Sequence, residues 1–86
     1  MFMYALRRHP HLTDLASALA PDDQDAINQV AAYLRGINAP VPPFRLSDDP
    51  QSEYYLEKRR AIPSLHGRGW TNDPRGPVEL VFVSAA

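Results

Sequence analysis

The segment of sequence that decides the predicted fold spans residues 12–36 and reads LTDLASALAPDDQDAINQVAAYLRG. On both sides of Pro21, apolar residues recur at the three- and four-residue spacing of an amphipathic helix. The acidic residues after Pro21 complement the positive end of a helix dipole, and Gly36 is typical of a helix end. The pattern predicts two short helices, at about residues 11–20 and 21–36.

A third helix is predicted after a stiff connector. The connector, residues 38–50, is rich in proline, which removes main-chain donors and favours extended backbone. Asp49 followed by Pro50 is typical of a helix start, with an aspartate cap and proline in the first turn. The predicted helix runs to about residues 60–61.

The surest predicted strand is the apolar run from Val78 to Val83, which is rich in β-branched residues. Before it, residues 73–76 read DPRG, the preference of a type I turn, so a hairpin with residues around 65–70 is expected. Residues 2–8 fit either a strand or a short helix, and periodicity over so few residues does not choose between them. Residues 2–6 are a further candidate partner in the sheet.

These elements predict one α+β domain over residues 1–86, with about three short helices and a small antiparallel sheet built on the C-terminal hairpin. The order of elements resembles a winged helix over roughly residues 2–36 and 65–83. That resemblance implies DNA binding through the second helix. However, this helix begins with three aspartates and its only base is Arg35, so we expect duplex DNA to be disfavoured.

The composition excludes several classes of ligand and of functional site. The 86 residues carry 9 Lys and Arg against 10 Asp and Glu, so the formal net charge of -1 gives no overall attraction to nucleic acid or to an anionic membrane. The absence of cysteine excludes disulfides, thiolate metal sites and cysteine nucleophiles. The N-terminus is apolar first and basic second, the reverse of a secretory signal. We expect a cytoplasmic protein that needs neither metal nor cofactor.

A locally basic stretch with a tryptophan is the main candidate for partner binding. Two glycines flank one of its arginines, and tryptophan and arginine are the residue types that most often dominate binding energy at protein interfaces. The alternative interpretation is a solvated helix end with the tryptophan in the core beside Leu80 and Phe82. The candidate partner-binding residues are Lys58, Arg59, Arg60, His66, Arg68 and Trp70.

Three weaker patterns match a polyproline ligand, a metal site and a hydrolytic triad, but each is incomplete or lacks the expected structural setting. The polyproline pattern is Pro40–Arg45. The metal-site pattern consists of His9, His11 and Asp14, and the triad pattern consists of Ser64, His66 and Asp73. We therefore predict a protein that is not an enzyme: a protein-binding regulator, adaptor or inhibitor whose partner has an acidic contact surface. The alternative is a winged-helix regulator that binds nucleic acid, and either reading is compatible with a homo-oligomer.

Overall fold

The computed structural model describes residues 1–11, 13–39 and 43–84 and contains one antiparallel sheet with a helix on one face. The strand order is β2-β1-β4-β6-β3, and β5 pairs with β4 outside this path. The predicted fold, with about three helices and a small hairpin, is wrong, because the described chain is mostly β. The elements are β1 (Phe2–Arg8), β2 (Ala16–Ala20), α1 (Asp23–Gly36), β3 (Arg45–Ser47), β4 (Tyr54–Pro63), β5 (Trp70–Asn72) and β6 (Val78–Ser84).

The first predicted helix is instead the edge strand β2. Its three alanines, at positions 16, 18 and 20, alternate onto the buried face of the sheet, whereas Leu15 is 41% exposed. These small side chains leave room for α1 to pack over the strand. The leucine and alanine spacing fits a helix equally well, so only pairing with β1 decides between the two conformations.

The third predicted helix is instead β4, a central strand between β1 and β6. Tyr54, Leu56 and Lys58 lie on the face covered by α1, while Tyr55 and Glu57 lie on the opposite face. Glutamate, lysine and arginine favour helices locally, but strand pairing on both sides overrides that preference. The consecutive tyrosines at its start are the local feature of β4 that fits a strand.

The prediction of the second helix is confirmed by α1, although its start differs in detail. Asp22 is the N-cap, and its Oδ1 accepts the main-chain N–H of Asp25 at 2.8 Å. Pro21 therefore precedes the cap instead of occupying the first helical position. No second helix packs against α1 in the described ranges, so the winged-helix resemblance does not hold.

The strand alternative is correct for residues 2–8, which form β1 beside β4. The predicted C-terminal strand is confirmed by β6, and the predicted turn is closed by the N–H of Gly76, which donates to the Asp73 carbonyl at 3.1 Å. The hairpin partner differs from the prediction. Residues 54–59 of β4 pair with β6, while residues 61–63 pair with β5.

The core lies between α1 and one face of the sheet. It is built from alternate residues of β1, β2, β4 and β6 and from the buried side of the helix. Its fully buried larger side chains are Tyr4, Leu6, Val30, Leu56 and Val83. The other face of the sheet has no helix over it among the described residues.

Candidate functional site

The candidate site is a hairpin arm, residues 62–72, formed by the end of β4, a loop and β5. The last contact of β4 with the N-terminus is made by Ala61, whose N–H donates to the Met1 carbonyl oxygen at 3.1 Å. Beyond that point β4 pairs only with β5 in the described structure. The loop is closed where the N–H of Ser64 donates to the carbonyl of Gly69 at 3.0 Å. The arm therefore extends past the body of the sheet.

Large apolar side chains on this arm face solvent. Leu65 is 90% exposed at the tip, and Trp70 is 44% exposed where β5 begins. The alternative interpretation, with Trp70 in the core, is therefore wrong. Exposed apolar side chains of this size gain free energy when they are buried, so the arm is a candidate contact surface.

Arginines without an ion pair among the described residues lie in the loop of the arm and at its base. Arg68 lies in the exposed loop beside His66, and Arg60 and Arg75 lie at the base of the arm. The turn that holds Arg75 packs against Arg60, whose carbonyl oxygen accepts the Asp73 N–H at 2.8 Å. None of the three arginine side chains has an ion-pair partner within the described ranges, so their charge is available to a ligand.

The predicted basic run at residues 58–60 is divided between the two faces of the sheet, because successive side chains of a strand point to opposite sides. Lys58 points under α1, where its Nζ lies 3.0 Å from Asp23 Oδ1 and 4.2 Å from the centre of the Phe2 ring. Arg59 points to the open face, where its Nη2 lies 2.8 Å from Glu57 Oε1. Of the predicted partner-binding residues, His66, Arg68 and Trp70 lie on the arm. Arg59 and Arg60 lie at its base on opposite faces of β4, and Lys58 lies under α1.

The Lys58 contact belongs to a partly buried cluster that ties the start of α1 to the sheet. The hydroxyl of Tyr4 donates to Asp23 Oδ1 at 2.6 Å. Burial, and after it the hydrogen bond to this carboxylate, raises the pKa of Tyr4 well above its ordinary value. Partial burial alone would raise the pKa of Asp23, but hydrogen bonds from Tyr4 and Lys58 outweigh it and hold that pKa below its ordinary value. The cluster therefore stabilises the packing of α1 on the sheet.

The open face of the sheet carries apolar residues that the sequence interpretation placed in the core. Val78 and Leu80 of β6 are exposed, and Phe82 and Tyr55 line a cleft of about 470 Å³ on this side. The run Val78–Val83 predicts a well-buried strand, whereas its first three residues are exposed. Glu79 within this run was the available signal that at least one face meets water.

The weaker sequence patterns do not converge into sites. Asp14 pairs with Arg7, and no group of three histidine, aspartate or glutamate side chains able to hold a metal is present in the part of the chain that the structure describes. No hydrogen bond joins the His66 side chain to Ser64 or Asp73 among the described contacts. Residues 40–42 of the proline motif lie outside the described residues, and Arg45 at its end begins β3.

No described helix is long and apolar enough to cross a membrane. Comparisons with models of protein families, with curated proteins and with solved structures find no match for this chain.

Proposed function

We propose that this chain is a non-enzymatic protein-binding domain, a regulator, adaptor or inhibitor, whose contact surface is the hairpin arm. The observation that carries the proposal is the combination of exposed Leu65 and Trp70 with arginines that lack an ion pair. A projecting hairpin can enter a concave partner surface while the sheet and α1 hold its base in place. Tryptophan and arginine commonly supply most of the binding energy at such contacts.

The charges of the arm support a partner with an acidic surface. Arg68 lies on the loop, and Arg60 and Arg75 flank the base, whereas the acid Asp73 already accepts the main-chain N–H of Arg75 at 3.0 Å. Complementary charge accelerates encounter and penalises basic partners. Arg59 and His66 extend the same surface, while Lys58 belongs to the cluster under α1.

Nucleic acid is the competing ligand class, because a basic arm with an exposed tryptophan could also stack on bases. We favour protein, since the helix that would have served for groove reading begins with acidic residues and the net charge of the chain is -1. The proposal includes a cytoplasmic location.

Affinity capture from a nuclease-treated lysate tests the proposal, with two substitutions on the arm and two matched controls elsewhere. Trp70→Ala and Arg68→Glu alter the arm. Tyr33→Ala removes an aromatic ring that is 53% exposed on α1, and Arg45→Glu reverses an exposed charge on β3. Sedimentation of the purified chain alone shows whether it binds a second copy of itself. This distinguishes self-association from binding to a different protein.

We expect both arm variants to lose the captured protein by about tenfold or more, because each removes a central interface residue. Both control variants should retain it, and all four should melt as the unmodified protein does within a few degrees. The proposal is wrong if the control variants lose the partner as strongly as the arm variants do. It is also wrong if both arm variants retain the partner, or if the material captured from an untreated lysate is not captured after nuclease treatment.

A further inference from the structure

The edge of β6 is only partly covered. The strand has seven residues, and β3 pairs with the last three of them, residues 82–84. Its first four residues, Val78–Val81, pair with β4 on one side. On the other side no strand pairs with them among the described residues. This part of β6 is a free strand edge, separate from the arm.

The direction of the main-chain groups on this edge follows from hydrogen bonds along β4. The N–H of Ala61 points to the N-terminal side, where it donates to Met1, and the carbonyl of Arg60 points to the other side, where it accepts from Asp73. Because this direction alternates along a strand, Lys58 bonds toward β6, at the position opposite Glu79. The main-chain groups of the residues on either side of Glu79 therefore point away from β4. Those residues are Val78 and Leu80.

The opposite edge of the sheet, formed by β2, is covered by a side chain of α1. At β2 the outward carbonyl of Leu19 accepts a hydrogen bond from Gln29 Nε2 of α1 at 2.9 Å. Natural sheets commonly cover or interrupt their edges, because an open edge recruits another strand. No corresponding side-chain bond reaches the main chain of Val78 or Leu80 in the described part of the protein.

The two sides of the free edge differ in chemistry. On the side of α1, Glu79 and Asp48 line a groove of about 440 Å³ together with Asp23. Lys58 neutralises Asp23, but neither of the other two acids has an ion-pair partner among the described residues. On the open face, the exposed side chains next to the edge are the apolar residues Val78 and Leu80.

We propose that the free edge of β6 binds an extended segment of a partner protein in which basic residues alternate with apolar ones. Because every strand pair in this sheet is antiparallel, the segment adds as an antiparallel strand. Its apolar residues lie opposite Val78 and Leu80 and share their face. Its basic residues point to the opposite side, toward Glu79 and Asp48. This site is independent of the arm and does not rest on the proposed function.

The test uses short peptides as probes of this edge. The probe is an acetylated, amidated peptide that alternates lysine and valine over six residues, and its charge control alternates glutamate and valine. Two further peptides have the sequence of the probe with methylated main-chain nitrogens. One is methylated at every valine and the other at every lysine. In an antiparallel addition, the residues directly opposite Val78 and Leu80 donate to them, so the valine N–H groups make the bonds. Binding is followed by amide chemical shifts of the full chain.

We expect saturable shifts at residues 78–81 with the lysine peptide and binding at least about tenfold weaker with the glutamate peptide. Methylation of the valines should abolish binding, while methylation of the lysines should preserve it. Glu79→Gln should weaken the lysine peptide about threefold, and Glu53→Gln, an exposed acid beside Arg8, should not change it.

The proposal fails if the lysine and glutamate peptides bind alike, if both methylated peptides bind as well as the probe, or if the shifts map to another surface. It also fails if the free protein already forms a dimer in which the amides of Val78 and Leu80 are protected, because the occupant is then a second copy.

Discussion

The ammonium group of Lys58 lies 3.0 Å from the carboxylate of Asp23, under the start of α1, and its side chain is only 16% exposed. This contact joins the central strand β4 to the helix. The same carboxylate accepts the hydroxyl proton of buried Tyr4, so one aspartate connects β1, β4 and α1. A lysine that the sequence placed in a basic binding patch is therefore part of the structure that holds the helix on the sheet.

Asp23→Asn should destabilise the protein by about 1 kcal/mol at neutral pH, because Tyr4 and Lys58 lose a charged acceptor. The pKa of Asp23 is held below its ordinary value of 3.8 in the folded chain. The stability it contributes is therefore present above pH 3.8 and lost as the pH falls through the lowered pKa. Urea unfolding from pH 2 to 7 should show the difference between the two proteins shrinking in acid. Asp25→Asn, whose carboxylate bonds only to Gln29 among the described side chains, is the control and should cost less.

Tyr4→Phe should remove an alkaline loss of stability. Burial, followed by the bond to Asp23, raises the pKa of Tyr4 above its ordinary value of 10.0. Below pH 10 the tyrosine is protonated in both folded and unfolded chains, and its hydrogen bond should favour the natural protein by about 1 kcal/mol. Above pH 10 the unfolded chain ionises first, so this advantage declines. Unfolding at pH 8 and pH 11 measures it, and an equal difference at both pH values would contradict the assignment.

Gly69→Ala should loosen the arm, because Gly69 has a φ of 106° that side chains other than glycine adopt only with strain. We expect a cost of about 1 kcal/mol against local opening of the loop. Gly67 lies two residues away, has no neighbour that an added Cβ would meet and has no such backbone angle, so Gly67→Ala is the matched control. Amide exchange of Ser64, whose N–H bonds to Gly69, reports the opening. Equal exchange rates in the two variants would count against this reading of the turn.

Amide exchange should also reveal the free edge of β6. Val78 and Leu80 point their N–H groups away from β4, whereas Glu79 and Val81 donate toward it. We expect the first pair to exchange at least about tenfold faster than the second pair in the unmodified protein. Protection of all four amides to the same extent would mean that another strand, from this chain or a second copy, already covers the edge.

Local signals predicted two elements correctly. The aspartates after Pro21 begin α1, and the β-branched run after Pro77 forms β6. The helix ends at Gly36, but its C-cap is Ile37 and the left-handed residue that follows is Asn38. Both elements depend on capping or on side-chain shape, which the sequence carries directly. The type I turn before β6 was predicted for the same reason.

The wrong predictions share another cause. The three alanines and the one leucine of β2 fit helical and strand spacing equally well, and β4 is rich in charged residues that favour helices in isolation. Pairing of β4 with both β1 and β6 is a long-range relationship that one sequence does not contain. The prediction of the candidate site was partly wrong for the same reason. Once residues 58–60 form a strand, alternation sends Lys58 under the helix and Arg59 to the open face.

The most direct measurement of the central claim is photo-crosslinking of the captured partner from two positions. A photoreactive phenylalanine analogue replaces Leu65 at the tip of the arm in one protein and Tyr33 on α1 in the other, and both sites are exposed. We predict that the probe at position 65 crosslinks to the partner and that the probe at position 33 does not. Crosslinks from position 33 in the absence of crosslinks from position 65, with both proteins still capturing the partner, would contradict the assignment of the arm as the contact surface.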